Sequence, residues 1–413
     1  MESRRRLGRY SLRRVLFLLS ILGPGLITAS ADNDSPGIAT YSMAGSNFGY
    51  RFLWIVLWIT FGEVVVQEMA ARMGAATGKG LTDLIRERFG LRLTFYVVIG
   101  LIIANLGTTA AQFAGVASSA ELFGVSRYIA VPLAAAAVWW LVTKGSYQRV
   151  EKVLLVLSMF AVAYVASAFL VRPDWGLVLR RTLVPSIQFD TQYMLAVLAT
   201  VGTTITPWAA VYMQASIVDK GVSMRDFRTA RVDVVFGAAV GNVVSAFIII
   251  STAATLFALG IQVETAEEAA LALAPVAGHL AEVLFGVGLL GASLLAASVL
   301  PLATTYAVCE VFGWERGIDH RPQEAPVFYG LYTGLIVVSG LIVLIPGLRL
   351  FVLMWLSQVA NALLLPVILV LMLRLANASD LMKEWRNRRW MNGVVIVLTV
   401  LVSAATVALV VGL

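Results

Sequence analysis

Apolar stretches of about 18 residues or more recur from one end of this chain to the other, the length a helix needs to cross a bilayer. That feature leaves little room for a soluble fold. The 413 residues could make two or three soluble domains, but the apolar runs use nearly all of them. Only 13% of residues are charged, against about 25% in soluble domains. One cysteine, Cys309, excludes an intramolecular disulfide, and two histidines, His279 and His320, are too few for a His-rich metal site. The N-terminus is basic (Arg4, Arg5, Arg6, Arg9, Arg13, Arg14), but the apolar run behind it outlasts the core of a cleavable signal peptide. The net charge of +7 is assigned to cytoplasmic loops rather than to nucleic-acid binding.

The expected fold is an all-α membrane protein of about eleven spans, near 15–44, 48–71, 93–121, 127–143, 150–171, 190–217, 232–260, 280–311, 326–346, 348–376 and 390–412. With the N-terminus inside, the tail and the even-to-odd loops hold 25 Lys and Arg, and the opposite loops hold 6. By the positive-inside rule this places the chain in the cell membrane, multi-pass, with the N-terminus cytoplasmic and the C-terminus extracellular. The untidy spot is Arg172, Arg180 and Arg181, together in an outside loop.

Two spans cannot be ordinary lipid-facing helices. The first carries Ala31-Asp32-Asn33-Asp34-Ser35-Pro36-Gly37 at its middle. Proline removes a helix hydrogen bond, and open backbone at membrane depth survives only inside protein or beside a watery cavity. A mid-bilayer charge costs at least about 2.5 kcal/mol, so Asp34 needs a partner, and a cation is the natural one. The sixth span repeats the device in Gly202-Thr203-Thr204-Ile205-Thr206-Pro207-Trp208. Breaks at corresponding places in two halves point to a transporter with inverted repeats, spans 1–5 against 6–10, and a substrate site at the midplane. The bland reading is that Pro36 and Pro207 merely kink continuous helices. The expected organisation is one transmembrane domain, 1–413, with repeat one over about 15–171, repeat two over about 190–376 and an extra helix over about 390–412.

At these residues the chain resembles the NRAMP family of divalent-metal transporters. The likeness runs over most of the sequence: Gly23-Pro24-Gly25, Ala39-Thr40, Gly49-Tyr50, Leu53-Trp54, Gln67, Ala70-Ala71-Arg72, Gly74, Thr77-Gly78, Leu81, Ser357-Gln358-Val359 and Leu365-Pro366. The resemblance implies a LeuT-type 5+5 inverted repeat with helices 1 and 6 broken at mid-membrane, and a monomer. The departures are as informative. The family's Asp-Pro-Gly-Asn motif reads Asp34-Ser35-Pro36-Gly37 here, and its Met-Pro-His reads Thr206-Pro207-Trp208. This pattern is similar to the NRAMP-related magnesium transporters.

Mg2+ is small and hard, takes oxygen ligands and sheds water reluctantly, whereas sulfur favours softer ions. Thr206 in place of methionine and Gly37 in place of asparagine leave a wider, oxygen-only site for a partly hydrated ion. The resemblance then assigns Asp34 as charged ligand, the Thr206 hydroxyl, the carbonyls of Ala31 and Thr203, and Gln358 closing over the ion. Asp32, Asn33 and Trp208 form an outer shell or gate, with Asp32 equally readable as a structural cap. Mn2+ accepts the same donors and is expected as a second substrate. The proton-relay positions of coupled members fall on Trp208, Thr109 and Gln112, all neutral, and the family's span-9 arginines have no match in 325–340. Uncoupled Mg2+ uptake by alternating access follows as the expectation, with the bilayer and a divalent ion as partners, no cofactor and no enzymatic activity.

A proton-coupled Mn2+/Fe2+ symporter of the ordinary type is the main alternative. A Na+-coupled organic-solute transporter, or an intramembrane enzyme using Asp32 and Asp34, finds no second motif. Glu63, Glu68, Glu121, Asp233 and Glu310 are further intramembrane acids, expected to cap helices or pair with cations such as Arg72 and Arg231, with Glu63 the one that most invites a test. Asn242 and Asn361 are expected in interhelical hydrogen bonds.

Overall fold

The computed structural model of the protein describes residues 33–144, 162–317 and 321–411. Among these, every regular element is helical. The first break ends at α1 (Ser35–Phe48), and a 3-10 turn (Gly49–Phe52) joins it to α2 (Leu53–Thr77). There follow α3 (Leu81–Phe89), α4 (Leu91–Leu122), α5 (Arg127–Thr143), α6 (Val162–Val171) and α7 (Trp175–Leu183). The second half begins with α8 (Thr191–Thr204), α9 (Pro207–Asp219) and α10 (Phe227–Thr255), then α11 (Ala281–Phe312), α12 (Pro326–Val343), α13 (Leu350–Asn377) and α14 (Arg389–Val411).

Eight described stretches are long and apolar enough to cross a membrane. Taking α1 and α2 as two arms of one of these, and adding the shorter apolar α5, gives ten segments among the described residues; the expected spans near 15–44 and 150–171 lie partly outside them. Boundaries move where caps, not apolarity, decide them. α1 runs on to Phe48 because Gly49, at φ +59°, ends it, and α2 runs on to Thr77, where Gly78 takes the left-handed conformation of a C-cap. Arg180 and Arg181 lie on α7, a short helix capped by Asp174. The basic cluster therefore sits on a connector rather than a span.

The kinked-helix reading fails at both breaks. Pro132, Pro301 and Pro366 lie inside α5, α11 and α13, which continue through them. Pro36 and Pro207 instead sit in the first turns of new helices, where a missing N–H costs nothing. The difference lies in the preceding residue. Asp34 and Thr206 are N-caps whose side chains accept from the backbone of Gly37 and Ala209.

The broken sixth span is central, with 83% of its apolar window buried, whereas α14 is peripheral at 17%. α1 packs against α10, α8, α13 and α4. Gly45 permits the first of these contacts, since a Cβ there would strike Thr252 and the Ile249 carbonyl. Trp58, Phe61, Tyr96, Ile103, Leu133 and Phe236 are exposed on the outer surface, as a lipid-facing belt requires. Glu68 pairs with both Arg72 and Arg231 at 3.3 Å, and Glu121 pairs with Arg127 at 2.5 Å, so these two acids serve the structural role expected of them. Arg72 also reaches Asn387 at 2.5 Å, fastening α2 to the segment before α14.

Candidate metal site at the two helix breaks

The first break converges on Asp34, which is buried, 4% exposed. Its Oδ1 accepts from the Gly37 backbone N–H at 2.9 Å, and its Oδ2 accepts from Gln112 Nε2 on α4. Gln112 is oriented by its other end, where Oε1 accepts from Ser35 Oγ at 2.9 Å. That pair of bonds fixes which end of the amide faces the carboxylate. An ionised carboxylate offers about four lone-pair sites, so two donors leave room for a cation. Gly37, singled out for its missing side chain, contributes a backbone donor to the same carboxylate.

At the second break, Thr206 caps α9 through Ala209 N–H at 3.3 Å. α8 ends at Thr204, and its last carbonyls lack intrahelical partners, as at any helix C-terminus. Thr203 is among them and is 2% exposed. Gly202 lies so close to α13 that a Cβ would collide with the Gln358 carbonyl oxygen, which seats Gln358 beside the break. A hydrogen bond between Tyr41 and Thr204 hydroxyls, 2.8 Å, ties α1 to the end of α8.

The remaining expected residues divide. Gln358 bonds Ser357 through Nε2 at 2.9 Å and accepts from Asn361 at 3.1 Å, and Asn361 donates on to Thr108 of α4. Asn33 turns toward α10, donating to the Gly241 carbonyl at 3.1 Å and accepting from Ser245 at 3.0 Å. Trp208 is buried in the first turn of α9, and its indole N–H has no hydrogen-bond partner among the described residues. Among the described residues the buried Thr109 hydroxyl has none either. Ala31 and Asp32 lie outside the described residues. Among the described residues no group of three or more His, Cys, Asp or Glu side chains could hold an ion, and Asp34 is the carboxylate that the described part of the break supplies.

Sequence reasoning placed Gln112 as a neutral residue in a lost relay and missed its direct contact with Asp34. The spacing of Thr108, Thr109 and Gln112 carried that signal, since residues one turn apart share a helix face. Ser35 and Tyr41 were also missed.

The family profile described as "Natural resistance-associated macrophage protein-like" matches residues 25–412. A protein of Aeromonas hydrophila named "Divalent metal cation transporter MntH" is 29% identical over 414 residues, covering 96% of this chain and 95% of the relative. The Bacillus subtilis protein of the same name is 26% identical over 405 residues, covering 95% and 92%. Among solved structures, an Eremococcus coleocola manganese transporter superposes with a TM-score of 0.75 at 22% identity, over 95% of this chain and 86% of that one. MhsT in complex with L-phenylalanine gives 0.58 at 17% identity, over 94% and 98%.

Proposed function

The chain belongs to the Nramp family, and from that premise we propose that it carries Mg2+, and Mn2+ as a second substrate, into the cell without moving protons. It is a multi-pass membrane transporter of the LeuT-type fold and not an enzyme. In the proposed cycle a partly hydrated ion meets Asp34, the Thr206 hydroxyl, the carbonyls of Ala31 and Thr203, and Gln358. α1 and α9 each start at the breaks while α8 ends there, so small rotations about the breaks open the site to one side at a time. Two charges falling through 100 mV, inside negative, release about 4.6 kcal/mol, at about 2.3 per charge. That drives uptake with no coupled ion.

One observation carries the reading: Gln112, an amide, donates to Asp34. A carboxyl group at that position would face a second carboxylate and hold a proton between them, since like charges at such range do not both ionise. The amide removes that proton and keeps Asp34 an acceptor. Thr206 meanwhile presents oxygen, not sulfur, to the ion. The manganese named for a structural neighbour and the broader "divalent metal cation" of the relatives favour the second reading, a proton-coupled Mn2+/Fe2+ symporter.

Two experiments separate these. With a pH indicator trapped in proteoliposomes, Mg2+ entry is expected to leave the internal pH unchanged; acidification that tracks metal entry rejects the uncoupled mechanism. In the same vesicles Gln112→Glu is expected to make Mg2+ uptake fall as pH is lowered, because the ion must then displace the shared proton. A profile as flat as that of the wild type would show that position 112 has no part in coupling.

A further inference from the structure

Beside the first break lies a second group of oxygen donors, none of them among the direct ligands proposed for the metal. Asn33, Tyr41, Glu63, Thr204, Asn242 and Ser245 line a cavity of about 10 Å3, room for about one water-sized body. They come from the break, α1, α2, α8 and α10, and each presents an oxygen. Glu63 is buried, 2% exposed. Asn242 spends its amide nitrogen twice, on the Glu63 carboxylate and on the Ala238 carbonyl at 2.9 Å. That fixes the amide and leaves its buried Oδ1 without a hydrogen-bond partner among the described residues. A buried acceptor left so costs about 1–3 kcal/mol.

We propose that this cluster is a second cation site, for a dehydrated monovalent ion of sodium size held by the Glu63 carboxylate, Asn242 Oδ1 and the neighbouring neutral oxygens. A positive ion satisfies an acceptor that no donor among the described residues reaches, and the Glu63 carboxylate beside it supplies negative charge. Mg2+ is excluded because it keeps several waters and the cavity has no room for them. Asn33 is adjacent to Asp34 in sequence and bonded to α10. An ion here therefore pins Asn33 beside the metal ligand, and its occupancy and metal binding strengthen each other by the same factor. That last coupling rests on Asp34 as metal ligand; the ion site itself does not.

The test uses the full-length purified protein and radioactive sodium in a choline buffer free of divalent metal. Saturable binding is expected, weakened about tenfold or more by Glu63→Gln and by Asn242→Leu and retained in Asp34→Ala, which separates this site from the metal site. Wild-type protein is also expected to melt at a higher temperature in sodium than in choline at equal ionic strength, a readout that does not depend on any variant folding. The proposal is overturned by absence of saturable binding and of thermal stabilisation, by binding indifferent to both substitutions, or by binding that vanishes in Asp34→Ala.

Discussion

Mg2+ uptake into proteoliposomes is expected to be abolished by Asp34→Ala. Of the donors assigned to the ion from described residues, Asp34 alone carries a formal charge; Thr203, Thr206 and Gln358 offer neutral groups. A divalent ion that keeps part of its hydration shell is held chiefly by charge, and removing the carboxylate leaves a desolvated pocket with nothing to offset the cost of entry. The substitution also removes the N-cap of α1, worth about 0.5–2 kcal/mol, and so acts on folding as well as on charge. Asp34→Asn separates the two, because asparagine caps about as well as aspartate yet has no charge. Both variants should insert and purify, and both should be silent with a Mg2+-sensitive dye. Transport retained by either would remove Asp34 from the ion's path.

Thr206→Met should turn the preference of the site. A thioether at the break adds a soft donor, which Mn2+ and later transition metals accept more readily than Mg2+ does. The expected change in the Mg2+-to-Mn2+ uptake ratio is about tenfold, or about 1.4 kcal/mol of differential binding. The cap from Thr206 to Ala209 is lost as well, so Thr206→Ala is the necessary comparison: it loses the cap without gaining sulfur. A ratio shift in the methionine variant alone, read from competition uptake, supports the ligand-softness argument. Equal shifts in both variants would assign the effect to backbone loosening.

Much of the architecture was legible because lipid allows so few solutions. Apolar run length marked the spans, and the pairing of proline with polar residues marked both breaks. What remained hidden was set by contacts between helices. That Pro36 and Pro207 begin helices while Pro301 and Pro366 sit within them follows from the side chains of Asp34 and Thr206 capping their own turns, a choice that apolarity does not encode. The Gln112–Asp34 bond joins residues 78 apart in sequence and could be inferred only as one polar face on α4. The acids show the same divide. Glu68 pairs with an arginine one turn away, within reach of local reasoning, whereas Glu63 meets Asn242 across 179 residues and becomes interpretable only when α2 and α10 are seen together. Apolarity also misplaced the ends of α1 and α2 by several residues, since Gly49 and Gly78 stop helices without regard to where the membrane stops.

The central claim is a hard, oxygen-only site that passes Mg2+ on charge alone, and voltage is its most direct probe. Purified protein in liposomes at equal pH on both sides, given a potassium-diffusion potential of graded size, should take up Mg2+ at a rate that rises with internal negativity and is unaffected when a proton ionophore is added. No Mg2+ entry at any potential, alongside Mn2+ entry that depends on an inward proton gradient, would contradict the account.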